Sequence, residues 1–240
     1  MQYLHKVYEE YGAVYNKETG YWELNGLTDL TEEDMFNIWM ASRGIEQLFS
    51  LEEAFIRCKA RTLFVRKQGS IGGVAGSANV CLDGLAYSAQ NMEVFGLLKQ
   101  TDNLYFSRRM NYAFFDCSKL KKILPILVIT GTTLSANSAF DRCSSLSHVM
   151  LKGLLASISF GDSPLLSYES LNYLVTNAAN TKAITVTVHP TTYSYLTGTA
   201  QPTEEVGGTT EEWQALVTTA QGKQISFAQP AKTLEVEPLE

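Results

Sequence analysis

The chain has 240 residues, of which 45% are hydrophobic, and a formal net charge of −6 with a sequence pI of about 5.2. Its length and apolar content suffice for one large domain or two small ones with a buried core. Because phosphate binding needs concentrated positive charge and no block of five basic residues occurs, we expect no nucleic-acid partner. The sequence contains no run of about 18 apolar residues, so it predicts no membrane-spanning helix. The N-terminal stretch MQYLHKVYEEYG lacks the apolar core of a secretory signal.

The first 50 residues predict a small subdomain. An apolar face of helical period runs through residues 2–11, and AVYNKETGYWEL places two aromatic runs on either side of a turn. A second helix is predicted to begin after Thr31, which is a suitable N-cap. We therefore expect a helix, a β-hairpin and a helix to form an N-terminal cap over residues 1–50.

One phrase then recurs along the chain. AFFDCSKL begins at Ala113 and AFDRCSSL begins at Ala139, while AFIRC begins at Ala54. A looser copy, AYSAQNMEV, begins at Ala86 with Tyr in place of Phe and Gln in place of Cys. Periods of 20–50 residues indicate stacked arrays, in which each unit buries its apolar side against the next. We predict such an array over residues 51–190, with a short parallel strand in each unit.

The last third predicts helices and strands of a different kind. KAITVTVHP, residues 182–190, alternates as a half-buried strand, and SYESLNYLVTNAAN predicts a helix that begins at Ser167. TTEEWQALVTTAQG predicts another, with a capping box of Thr209 and Glu212 and with Gly222 just after its end. The stretch ISFA predicts a closing strand. We assign residues 191–228 to a C-terminal cap and residues 229–240 to a flexible tail.

The repeated units resemble a known family. AFFDCSKLKKILP and AFDRCSSLSHVML are similar to bacterial leucine-rich repeats of the BspA surface-antigen type, with the pattern AFxxCxxLxxIxLP. The resemblance implies an α/β fold: a short leucine-rich-repeat solenoid with parallel strands, closed by an N-terminal helix-hairpin-helix cap and a C-terminal α/β cap. The flanks, such as AVYNKETGYWELNGLTDLTEEDM, resemble segments of repeat proteins from gut anaerobes and their phages.

That resemblance implies a function without catalysis. We expect a structural or protein-interaction module, a virion-associated or assembly component of a phage or prophage. A bacterial surface adhesin that binds a receptor or a glycan is the alternative. The expected location is a virion or the cytoplasm, or the cell surface if a leader has been removed. The expected partners are other virion subunits or a surface receptor, with a glycan as a further candidate and homo-oligomers within an assembly.

Candidate chemical sites are few. The four cysteines have no zinc-type spacing, and free buried thiols are favoured, although Cys117 and Cys143 are expected to be neighbours. The three histidines, including His189 at an expected outward strand position, have no carboxylate at metal-binding spacing. The Gly-rich stretch over residues 69–77 lacks the order of a phosphate-binding loop. We therefore expect no catalytic residue, no cofactor and no metal, and an enzyme with scattered catalytic residues stays the open alternative.

Two groups of residues are the predicted interaction surface. Outward positions of the repeat strands are expected to hold the first group, and the aromatic side chains of the N-terminal hairpin form the second. These residues are Lys122, His148, Met150, Lys152, Thr185 and Thr187 on the strands, and Tyr15, Tyr21 and Trp22 in the hairpin.

Overall fold

The computed structural model describes most of the predicted repeat region and of the C-terminal region, whose predicted tail lies outside the described residues from residue 232 on. The described residues are 14–16, 21–23, 55–57, 61–65, 82–97, 103–106, 109–129, 134–179 and 182–231. The two predicted N-terminal helices and the Gly-rich stretch lie outside these ranges. The hairpin is confirmed in its backbone, because strand β1 (Val14–Asn16) pairs antiparallel with strand β2 (Tyr21–Glu23).

Two parallel sheets and three helices make up the rest of the described chain. The first sheet has the order β3-β4-β6-β5, with β7 also paired to β6. Its strands are β3 (Thr62–Val65), β4 (Val94–Leu97), β5 (Leu104–Phe106), β6 (Lys122–Ile129) and β7 (His148–Lys152). The second sheet has the order β10-β9-β8, with β8 (Ile158–Phe160), β9 (Ile184–Val188) and β10 (Ile225–Ala228). The prediction of an α/β protein with parallel strands is confirmed.

The three helices occupy the C-terminal region. They are α1 (Tyr168–Thr176), α2 (Pro190–Leu196) and α3 (Thr210–Gly222). Ser167 caps α1, and Thr209 and Glu212 form the predicted capping box of α3. The role predicted for Gly222 is wrong, because it is the last residue of α3 and the left-handed residue after the helix is Gln224, with φ of 58°.

Helix α2 was not predicted, and it corrects the position of His189. That residue lies after β9 and serves as the N-cap of α2, where its Nδ1 accepts a hydrogen bond from the Thr191 N–H at 3.2 Å. Pro190 occupies the first turn, where its fixed φ suits a helix and its missing N–H costs nothing. His189 is therefore a capping residue and not an outward residue of the strand.

One backbone conformation recurs at spacings close to the 32, 27 and 26 residues that separate the repeated phrases in the sequence. Left-handed φ values of 54° to 61° recur at Arg57, Ser88, Asp116 and Arg142, which are 31, 28 and 26 residues apart. Four residues before the last three of these, left-handed φ recurs at Gly84, Tyr112 and Ser138. The same turn is thus built four times from different side chains.

This register corrects the alignment of the second copy by one residue. Since Ser88 corresponds to Asp116, Leu85 and Ala86 correspond to Ala113 and Phe114. Tyr87 was placed at the inward ring position, and the structure puts Ala86 there instead, fully buried. A large residue followed by a small one has replaced the small-large order of the other copies.

Main-chain hydrogen bonds join each copy to the next on two sides. At the turns, N–H groups donate to carbonyls of the following copy at 2.7–2.9 Å: Gly84 to Asn111, Ala86 to Ala113, Ser88 to Phe115, Tyr112 to Asn137, Phe114 to Ala139 and Asp116 to Asp141. At the starts of the strands, N–H groups donate to the preceding copy at 2.6–2.9 Å: Glu93 to Arg61, Lys121 to Glu93, Ser147 to Lys121 and Ser167 to Ser147. Adjacent copies therefore lie in register along both sides.

Aromatic rings stack along the buried interior of these copies. The centroids of Phe114 and Phe140 lie 5.8 Å apart with their planes at 5°, and Phe140 and Phe160 lie 5.0 Å apart at 19°. All three rings are buried. Where Ala86 lacks a ring, Phe95 of β4 packs edge-on against Phe114 at 5.3 Å. The rings thus form one continuous buried column, in which Phe95 takes the place of the ring that is absent at Ala86.

Phe160 begins a further copy that was not recognised in the sequence. The Ser163 N–H donates to the Phe160 carbonyl, and the Leu166 N–H donates to the Ser163 carbonyl, as Cys143 and Leu146 do one copy earlier. In this copy α1 begins where the others have a strand. The Val149 N–H of β7 donates to the Ser170 Oγ of α1 at 3.0 Å, so the helix satisfies a donor at the edge of the first sheet.

Candidate functional site

Four of the predicted surface residues lie together on β6 and β7. Lys122 is the register partner of His148, and Met150 and Lys152 follow at alternate positions of β7. The lysines are exposed, whereas His148 and Met150 are half-buried. Alternate strand residues share one face, so this group forms one continuous surface.

The other predicted surface residues lie elsewhere. Thr185 and Thr187 are half-buried on β9, in the second sheet, where they are the register partners of Ser226 and Ala228. In the hairpin, Tyr15 is the partner of Trp22 and Asn16 that of Tyr21. Only the backbone of the hairpin is described, so the predicted aromatic surface there stays a prediction.

A column of charges crosses three copies beside Lys122. Arg61, Glu93 and Lys121 occupy equivalent positions, and Glu93 accepts hydrogen bonds from Lys121 Nζ at 3.0 Å and from Arg61 Nε at 3.0 Å. The hydrogen bond from Lys121, followed by that from Arg61, lowers the pKa of the Glu93 carboxyl below its ordinary value. The carboxylate is thus held between two cations that are more than half exposed.

A second polar column runs through the turns. The Asp83 carboxylate accepts from the Asn111 N–H at 2.7 Å, and the Asn111 Oδ1 accepts from the Asn137 N–H at 3.0 Å. These three residues occupy equivalent positions, one before each left-handed Gly84, Tyr112 or Ser138. The Asp83 and Asn111 side chains therefore each satisfy a backbone donor of the next copy and fix the spacing between copies.

The repeated cysteines are structural. The Cys117 thiol donates to the Ala86 carbonyl and the Cys143 thiol to the Phe114 carbonyl, each at 3.0 Å. Neither thiol forms a disulfide and both are fully buried, as predicted for these two residues; Cys58 and Cys81 lie outside the described ranges. Burial, and then the nearby Cys117, raises the pKa of the Cys143 thiol well above its usual range. A buried thiol with a raised pKa is a poor nucleophile.

An aromatic patch on the turns was missed by the sequence reasoning. It consists of Tyr87, Tyr112 and Phe115: Tyr87 stacks on Phe115 at 5.0 Å, and Tyr112 packs edge-on against both rings, at 6.3 and 5.7 Å. The Arg142 guanidinium lies 5.3 Å from the centre of the Phe115 ring. Tyr112 is 46% exposed although its backbone is left-handed, a conformation unfavourable for a bulky residue. The available signal was Phe115, which directly follows the inward Phe114 and so points outward, whereas the outward position of Tyr87 follows only from the corrected register.

The structure offers no group of three or more His, Cys, Asp and Glu side chains placed to hold a metal ion, within the ranges described above. In those same ranges, no helix has the length and apolar character needed to cross a bilayer. Comparison with protein-family models, with curated proteins and with solved structures found no match to this chain.

Proposed function

We propose that this chain is a short solenoid of the leucine-rich-repeat type that acts as a structural or protein-interaction module without catalytic activity. The recurrence of the same contacts at the same position of successive copies carries the proposal. In four successive copies a buried small residue and a buried Leu or Met recur with the same turn hydrogen bonds, and three of these copies also have a buried Phe ring at the equivalent position. Stacked repeats of this kind form rigid, extended surfaces suited to binding other macromolecules.

The chemistry of the reactive side chains supports a non-catalytic role. Both described thiols are buried and donate to carbonyls of the preceding copy, and the Glu93 carboxylate is neutralised by Arg61 and Lys121. These groups serve the spacing of the repeats. A nucleophile or a general base needs an accessible group with a pKa near the working pH.

We place this module in a phage or prophage particle as a virion-associated or assembly component, with other virion subunits as its partners. The resemblance of the repeats and flanks supports this location, and the rigid column of copies suits an assembly role. Mass spectrometry of purified particles, produced from the genome that encodes the chain, tests it. We expect the protein to co-purify with particles at constant stoichiometry through a density gradient, and its absence from them would contradict the proposal.

The aromatic patch favours the adhesin as a second candidate. Exposed aromatic side chains with a neighbouring Arg are typical of binding hot spots, and Tyr112 is held outward by a strained backbone. If the chain is an adhesin, Tyr112→Ala reduces binding to a receptor or a glycan array at least about tenfold, the loss of one hot-spot residue. Tyr173→Ala on α1 is the control and leaves binding unchanged.

A further inference from the structure

The charges of this acidic chain are strongly segregated. Residues 54–152 contain 13 Lys and Arg but 5 Asp and Glu, a net charge of +8. Residues 153–240 contain 3 Lys and Arg but 9 Asp and Glu, a net charge of −6. Residues 1–53, with 3 Lys and Arg and 11 Asp and Glu, contribute a further −8, so the whole-chain value of −6 hides a basic middle segment. That segment makes one part of the surface attractive to acidic partners.

Four of these basic residues lie at one corner of the first sheet, where the strands begin. This basic corner consists of Arg61, Lys119, Lys121 and Lys122, all of which are exposed. Glu93 contacts Arg61 and Lys121 and so offsets one positive charge. Among the described residues Lys119 is paired with a neutral amide, since its Nζ donates to Asn91 Oδ1 at 3.2 Å, and Lys122 is the register partner of the half-buried His148. The corner keeps a net positive charge of three units among these residues.

The negative charge of the C-terminal region also lies on the surface. The Tyr168 N–H at the start of α1 donates to the Val206 carbonyl at 2.8 Å, which brings the first turn of α1 next to the loop that precedes α3. The sequence in and next to these two segments carries five carboxylates, of which Glu204, Glu205, Glu211 and Glu212 are exposed and Glu169 is half-buried. Burial raises the pKa of Tyr168, and so does the negative charge of Glu212 close by.

We propose that the basic corner binds the acidic C-terminal region of a second copy of this chain, so that copies associate head to tail. This inference rests on the proposed function, because it names the partner of the interaction module. Two copies that bring opposite charges together gain favourable electrostatic energy, and the attraction also speeds their encounter. The two contacting surfaces differ, so the contact is heterologous and propagates into a ring or a filament.

Sedimentation velocity of the full chain over a range of salt concentrations is the first test. We expect oligomers at about 0.05 M salt that dissociate at about 0.5 M, because the screening length shortens severalfold over that range. A species that stays monomeric at low salt, at concentrations up to about 0.1 mM, would overturn the inference, since it would put the dissociation constant of the contact above that value.

Charge reversal on each side is the sharper test. Lys119→Glu with Lys122→Glu should abolish association, and so should Glu204→Lys with Glu205→Lys, because each places like charges at the contact. Mixing the two monomeric variants should restore association as a heterodimer, since the intact acidic region of one variant fits the intact basic corner of the other. Lys182→Glu is the control for the single variant Lys122→Glu. Both change the net charge equally, and only Lys122→Glu should weaken association, by about tenfold or more.

Two results would contradict the head-to-tail contact and leave the proposed function unaffected. One is association that both double variants retain, which would place the interface elsewhere. The other is a monomeric chain that nevertheless co-purifies with particles, which would make another subunit the partner. Conversely, head-to-tail oligomers from a protein absent from particles would support the contact and contradict the virion role.

Discussion

Two copies of the repeat solve the same packing problem with different residues. At Phe140 the interior holds a ring that stacks between Phe114 and Phe160, whereas at the equivalent Ala86 there is no ring. There the space beside Phe114 is filled by Phe95 from β4, and both Ala86 and Phe95 are fully buried. The interior must be filled at this position of every copy, either by the residue at that position or by a neighbouring side chain.

The largest effect that tests this comparison is the loss of the central ring. Phe140→Ala should destabilise the protein by about 3–5 kcal/mol, because it removes buried apolar contact on both faces and leaves a cavity. Denaturant unfolding of the variant and the parent measures it. Equal unfolding midpoints would mean that Phe140 is not stacked in the interior.

Adding a ring at the other copy should also destabilise the protein. Ala86→Phe should cost about 1–3 kcal/mol, because Phe95 already fills the space and the interior becomes overpacked. Combining it with Phe95→Ala should recover part of that loss, since total volume is then restored. If Phe95→Ala instead adds its full cost to that of Ala86→Phe, the two residues do not share one space.

The last copy differs from the others because a helix replaces its strand, and Ser170→Ala tests that junction. The substitution removes the acceptor of the Val149 N–H, and a buried unsatisfied donor costs about 1–3 kcal/mol. Ser144→Ala, at an exposed position, is the control and should change stability little. Faster amide exchange at Val149 in the Ser170 variant alone would locate the effect.

The smallest effect concerns the buried thiols. Ala89 occupies in the second copy the position of Cys117 and Cys143, so Cys143→Ala should cost only about 1 kcal/mol. The pKa of Cys143 is raised by folding, so its stabilising contribution is complete below the pKa of an unfolded thiol and is lost as pH rises above it.

We therefore expect the parent to lose more stability than Cys143→Ala between about pH 8 and about pH 10, a range that spans the unfolded thiol pKa. Urea unfolding at the two values measures the difference. Equal losses for parent and variant would show that this thiol does not resist ionisation in the folded protein.

Local signals explain which parts of the fold could be predicted. The alternation of Ile184, Val186 and Val188 identified β9, and the capping pair Thr209–Glu212 placed the start of α3. Helix α2 was missed because Pro190 indicated the end of a strand and His189 is not among the favoured N-caps.

The sequence identified the copies in which the repeated phrase places the same residue types at the same buried positions. The period was read correctly from Phe114 and Phe140, but the second copy was misplaced by one residue because Tyr87 mimics the inward aromatic position. The copy at Phe160 was missed because Ser163 replaces the cysteine. Packing tolerates such exchanges, so phrase matching alone does not detect every copy.

The surfaces were harder to predict than the interior. Lys122, His148, Met150 and Lys152 were placed together by strand alternation, which is a local property. The aromatic patch depends instead on contacts across copies, and it followed from the corrected register of Tyr87. The charge segregation was visible in the sequence, but the whole-chain balance concealed it.

A double-mutant cycle between Phe114 and Phe140 tests the central claim most directly, namely that equivalent residues of successive copies contact one another. Phe114→Leu, Phe140→Leu and the double variant keep most of the buried volume while removing the contact between the rings. We predict a coupling energy of about 0.5–1.5 kcal/mol, the range measured for aromatic pairs. Free energies of unfolding that add to within about 0.3 kcal/mol, as for residues that do not touch, would contradict the account.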